Sequence, residues 1–152
     1  MLQRLQDTPW AMWVVGSDSI WAYPTVLTLH TVGLALIVGA AFVIDLRMLG
    51  VGADIPLAQM KRTFGFFWTG FAINFVSGLI LFAVDAVHKS GQPVFYVKLA
   101  LITIAIVVTT RLRRVGFWTD GQAASAAARP LAMVSLLLWA GAIVAGRLMA
   151  YL

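Results

Sequence analysis

The stretch "YPTVLTLHTVGLALIVGAAFVI", residues 23–44, decides what kind of molecule this is. It carries no charge, and the charge-free interval extends from Asp18 to Asp45. A bilayer crossing needs about 20 mostly apolar residues, so the pattern predicts a transmembrane helix over 20–44. Inside that run stands a single imidazole, His30.

The rest of the chain extends the same theme. Of 152 residues, 61% are hydrophobic and 11% charged, with a mean hydropathy of +0.91; soluble domains carry about 25% charged residues. Three further apolar runs predict spans over 63–86, 94–111 and 130–151, the last with Pro130 in its first turn, where proline is tolerated. Lipid offers the backbone no hydrogen-bond partners, so crossing segments are helical. The expected architecture is an all-α, four-helix transmembrane bundle forming one membrane domain over 1–152.

The net charge of +5 would suggest nucleic acid in a soluble protein, but here the basic residues lie between apolar runs and read as topology signals. Arg47, Lys61, Arg62, Arg111, Arg113, Arg114 and Arg129 fall on one side, and Arg4, Lys89, Lys98 and Arg147 on the other. The richer side is expected to be cytoplasmic. Both termini and the loop between spans two and three then face outward, which in a bacterial inner membrane means the periplasm. The first span lacks a basic leader and a cleavage site, so it is expected to be retained.

Two segments outside the spans have readable chemistry. "DTPWAMWVVGS", residues 7–17, combines a capping residue, an early proline and two tryptophans, and predicts a short interfacial helix. The alanine-rich "TDGQAASAAAR", residues 119–129, reads as a short helix or as the lead-in to span four.

Polar residues within spans are rare and usually face the bundle interior. His30 lies roughly 15 Å below the outer interface at 1.5 Å per residue. Its imidazole suits an axial haem or metal ligand, and equally a histidine hydrogen-bonded to a neighbouring helix. The only other histidine, His88, falls about ten helical residues nearer the surface, roughly 15 Å away in depth. It is therefore expected as a solvated loop residue rather than a second ligand to the same iron. Lys98, one turn into span three, either snorkels to water or bends toward His30.

Span two carries Gly70, Asn74, Ser77, Gly78 and Asp85 at three- and four-residue steps, hence on one face. Small residues there permit close helix approach, and Asn74 can hydrogen-bond across it. Span four has a comparable small face, Ala132, Ser135, Ala142 and Gly146 around Trp139, and the two faces are expected to pack together. Arg147 is expected to bond Asp85, with Asp18 as the other acceptor. Asp45 and Arg47, in "DLRMLG", are expected to anchor the span-one exit at the interface.

The runs "YPTVLTLHTVGLALIVGAAFVIDLRMLG", "GFAINFVSGLILFAVDA", "PVFYVKLALI" and "WAGAIVAGRLMAYL" resemble a widespread bacterial family of small four-span membrane proteins of unknown function, over nearly the whole chain. A span-one histidine followed by small residues and an arginine, with an aromatic-x-x-Lys opening of span three, is more distantly similar to the CopD copper-resistance membrane domain and to the HemJ protoporphyrinogen oxidase family. The HemJ likeness implies haem b associated with His30 and Lys98. The loops, the "GRLMAYL" ending and the "DLRMLG" corner depart from HemJ, which puts protoporphyrinogen oxidation in doubt and leaves cofactor binding as the expectation the resemblance implies.

Two functional classes follow. In the first, haem b or copper sits within the bundle for electron transfer or haem or copper handling. His30 is then the metal ligand, Lys98 a second ligand or propionate partner, and Asn74 a cofactor-binding neighbour. In the second, the chain is a cofactor-free accessory subunit whose helix faces pack against other membrane subunits or further copies of itself. There is no cysteine and no glutamate, no phosphate loop and no zinc-spaced histidine pair, so hydrolase, kinase and metalloprotease chemistries lack their parts. A redox role stays open.

Overall fold

The computed structural model describes residues 2–16, 21–117 and 127–151. Seven helices occur among these residues, and no strand: α1 (Leu2–Gln6), α2 (Pro9–Gly16), α3 (Ala22–Leu49), α4 (Leu57–Val84), α5 (Ala86–Gly91), α6 (Pro93–Phe117) and α7 (Ala128–Leu148). Four of them, α3, α4, α6 and α7, are long and apolar enough to cross a membrane. They correspond to the four expected spans. Asp18 and most of the 119–129 segment lie outside the described residues.

Helices α3, α4 and α6 overrun the apolar windows at one end, because helical geometry continues into the polar flank until something stops it. For α3 the stop is Gly50, at φ 102°, a left-handed conformation that glycine adopts without steric cost. The Gly50 and Val51 amides return to the Arg47 and Leu46 carbonyls at 3.2 and 3.0 Å, closing the helix end. At the other end of α4 the chain breaks at Asp85 and resumes as the short α5, so His88 lies on a helix and not in a loop. Pro93 opens α6 at the first helical position, where its missing N–H costs nothing.

The four long helices form a square with one open side. α3 packs along α4 and also on α7, and α7 packs along α6, whereas α4 and α6 do not pack along each other. We call the end where α3 and α6 begin and α4 and α7 finish the terminal end, since α1 and α2 also gather there against α4 and α5. The expected short helix over residues 7–17 is α2, which buries Ala11 and Val14 and leaves Trp10 and Trp13 exposed.

Packing is tight in the half away from the terminal end. Ile44, Met48, Leu57, Phe64, Leu112, Ala128 and Ala132 form one buried cluster, and Ile37, Ala40, Ala41, Phe67, Ala105 and Trp139 a second. The Phe67 and Trp139 rings meet edge to face at 5.8 Å, filling the centre of the square with a large apolar wedge.

The small-residue face of α4 packs on α3, which corrects the expectation that it meets α7. A Cβ on Gly70 would stand 2.7 Å from Leu36 Cβ and 2.9 Å from the Gly33 carbonyl, and a Cβ on Gly33 would stand 2.7 Å from the Asn74 nitrogen. The two backbones touch at this crossing, as small residues allow in lipid. The α7 face turns to α6 instead: Gly146 lies against Lys98, Gly141 against Leu101, and Ser135 near Thr109.

Candidate functional site

The crossing of α3 and α4 fixes His30. Its Nδ1 lies 3.1 Å from the Asn74 backbone oxygen and 3.1 Å from Ser77 Oγ. A backbone carbonyl can only accept, so Nδ1 carries the proton and donates. The Ser77 hydroxyl donates back along α4 to the Ile73 oxygen at 2.7 Å, which leaves its lone pairs for the imidazole. Asn74 completes the clamp from the other side, its Nδ2 donating to the His30 carbonyl at 2.7 Å. Gly78 leaves room for the ring, since a Cβ there would stand 3.2 Å from His30 Cε1. In its neutral form the imidazole then has a fixed tautomer and a fixed plane, with the proton on Nδ1 and the lone pair on Nε2. This is how metal-binding histidines are oriented by their neighbours.

That ring forms part of the wall of a cavity of about 720 Å³ in the terminal half of the bundle, within the range of small-molecule and cofactor pockets. Its apolar wall includes Phe71, Phe75, Leu79, Leu99 and Ile102, and its polar groups are His30, Asn74, Asp85, His88, Lys89, Gln92 and Lys98. The structure thus brings the sequence-derived candidates His30, Asn74 and Lys98 to one space. Lys98 is half-buried, with its stem against Gly146, where a Cβ would stand 3.5 Å from Lys98 Cε. His30 and His88 line the same cavity, with His88 exposed on α5 at its edge.

Asp85 and Arg147 are not brought together, contrary to the sequence expectation. The Asp85 carboxylate lies 3.5 Å from His88 Nδ1, one turn away on the same corner. The Arg147 guanidinium sits 5.9 Å from the Tyr151 ring. Exposed at the end of α7, that guanidinium finds a cation–π partner one turn ahead and has no need of a carboxylate across the bundle.

Two residues at the site escaped the sequence reading. Lys89 donates to the Leu81 oxygen at 2.6 Å, satisfying a carbonyl freed where α4 ends. Burial pushes its ammonium below the ordinary lysine value, and Asp85 opposes that shift. Gln92 is buried, and neither its amide nitrogen nor its amide oxygen has a hydrogen-bond partner. Such a group costs about 1–3 kcal/mol unless something bonds it. Counting lysines as topology signals hid the first, and a glutamine between two helices gives no periodic signal for the second.

A further correction concerns "DLRMLG". Asp45 and Arg47 are buried against the protein rather than exposed at the span-one exit, and α3 continues past them to Leu49. Arg47 turns back to donate to the Ile55 and Ala53 oxygens at 2.8 and 3.0 Å, closing the α3–α4 loop. Asp45 is fully buried with no hydrogen-bond partner for either oxygen; Ser135 is its polar neighbour.

Among the described residues no group of three or more histidine, cysteine or acidic side chains gathers to hold a metal ion. In comparisons with family models, with curated proteins and with solved structures, nothing matches this chain.

Proposed function

We propose that this chain is an integral membrane haem protein that holds haem b in the cavity of the terminal half, with His30 Nε2 as axial ligand. The observation that carries the reading is the clamped imidazole, whose Nδ1–H is committed to Asn74 and Ser77 while the ring lines a cavity of about 720 Å³. The donor set suits the group. One neutral imidazole suits iron, the phenylalanine and leucine walls suit a porphyrin plane, and Lys98 and Lys89 at the rim suit its two carboxylates.

Haem would supply one-electron redox chemistry or a cargo to be passed on. The chain's own contribution is to orient the ligand nitrogen, to keep bulk water from it with Phe71 and Phe75, and to balance the negative edge with ammonium groups. Asn74 acts on the ligand through His30. Copper is the weaker occupant, because it would find only one imidazole and the Met149 thioether on these walls. The terminal end, poor in Lys and Arg, faces outward from a bacterial inner membrane in this reading, as charge bias requires.

Purification in mild detergent from haem-sufficient cells tests it. The expected result is a reduced-minus-oxidised b-type spectrum at about one haem per chain. A colourless protein that also takes up no added haem would overturn the proposal and favour the accessory-subunit reading, and bound copper without haem would replace the cofactor.

A further inference from the structure

The open side of the square has a definite shape. Near the terminal end α4 and α6 are bridged by Phe82 and Phe95, whose rings stack at 5.2 Å and 10°. At the far end they are bridged by Arg113 over the Phe64 ring at 5.4 Å. Between these clasps the helices do not pack along each other, and the cavity reaches the gap. Phe75 and Leu79 on α4 and Leu99 on α6 line the cavity and are 54%, 53% and 45% exposed. These side chains stand at the cavity mouth on the α4–α6 side; Tyr23 and Leu27 of α3, 41% and 45% exposed, line the cavity as well, but α3 packs along α4 and on α7 whereas α4 and α6 leave a gap.

We propose that the cavity is loaded sideways, from the lipid phase, through this slot between α4 and α6. Its ligand is then a membrane-dissolved amphiphile with an apolar body and a carboxylate edge; haem as that ligand rests on the function proposed above. Charge and burial set its direction. The lips are wholly apolar and match acyl chains, so an apolar body crosses them without passing through water. The inner wall past them carries Lys98, Lys89 and the unpartnered Gln92 amide, which match carboxylates. The Phe82–Phe95 stack closes the terminal end of the slot between α4 and α6.

The chain has no cysteine, so a single introduced thiol reports cleanly. Leu99→Cys is purified folded, then modified with benzyl methanethiosulfonate, and haem uptake is followed from haem-loaded phosphatidylcholine vesicles. Modification is expected to slow uptake roughly tenfold, equivalent to about 1.4 kcal/mol on the barrier, and removal of the label by a phosphine should restore it. Val107→Cys, on the same helix but off the cavity, is expected to be unaffected by the same label.

Uptake by labelled Leu99→Cys at the unlabelled rate would overturn the lateral route. Uptake of haem from water but not from vesicles by the unmodified chain would overturn it too. If the unmodified chain takes haem from neither source, haem is the wrong occupant and the slot is judged alone, from a nitroxide at Leu99→Cys. Relaxation by oxygen but not by a water-soluble nickel chelate upholds a lipid-facing lip, and the reverse refutes it.

Discussion

The two halves of the bundle use the same four helices and solve opposite problems. Away from the terminal end, Phe67 and Trp139 are driven into a square lined with alanines, Ala40, Ala41 and Ala105. In the terminal half, glycines 78 and 146 lie against His30 and Lys98 and no large wedge fills the centre. Lipid supplies no hydrophobic drive between helices, so cohesion there depends on close packing and interhelical hydrogen bonds. The packed half is therefore where stability resides, and the hollow half is held open by specific polar contacts, the His30–Asn74–Ser77 clamp and the Lys89 cap. A void of that size forfeits contacts along its whole lining.

That contrast can be broken from either side. The largest effect is expected from Trp139→Ala in the packed half, a loss of roughly 3–5 kcal/mol, as for other buried aromatic truncations. Unfolding in mixed micelles measures it, and a loss below about 1 kcal/mol would show that the wedge is not what holds the square. Next, Gly70→Val drives a branched side chain into Leu36 and the Gly33 backbone, with an expected cost of about 1–3 kcal/mol and a shift of α4 that also loosens the clamp. Preserved stability there would mean that the helices do not touch at that crossing.

In the hollow half, Asn74→Ala removes one side of the clamp while leaving the Asn74 backbone oxygen in place. Haem affinity is expected to fall roughly 10–100-fold, the usual penalty for losing a group that orients a metal ligand, with much less change in unfolding midpoint than for Trp139→Ala. Titration of the apoprotein with haem reads the affinity, and unfolding in mixed micelles reads the midpoint.

The smallest effect concerns pH. The folded state disfavours the charged form of Lys89, so between its lowered value and the ordinary 10.5 the unfolded chain binds more protons than the folded one. Stability should therefore rise slightly as pH climbs through that alkaline window, and the rise should vanish in Lys89→Met. A wild-type curve that falls there as steeply as the variant's would contradict the burial of this ammonium.

Much of this was legible in the sequence. Apolar runs of bilayer length indicated four spanning helices, and one imidazole in such a run marked a candidate site, because polar groups are costly in lipid and few in number. Lys98 and Asn74 were singled out by the same logic, and the structure brings them to the same cavity as His30. Which faces pair was not legible: Gly70 and Gly146 are equally small, and mutual fit decides that one meets α3 and the other α6. The Asp85–Arg147 pair failed because two charges at one depth do not fix azimuth around their helices. Lys89 and Gln92 were missed since their roles depend on where α4 breaks. The burial of Asp45 and Arg47 was not legible because apolar length does not reveal which side of a helix end its neighbours cover.

The central claim is that the His30 imidazole, held by its Nδ1–H, offers Nε2 to a haem iron. Its most direct test is the spectrum of His30→Gly purified without and with imidazole in the buffer. The account predicts that the b-type spectrum is absent without imidazole and returns with it, since the small molecule occupies the vacated position. A haem spectrum of wild-type shape and stoichiometry in His30→Gly alone would contradict it, for the iron would then be held elsewhere.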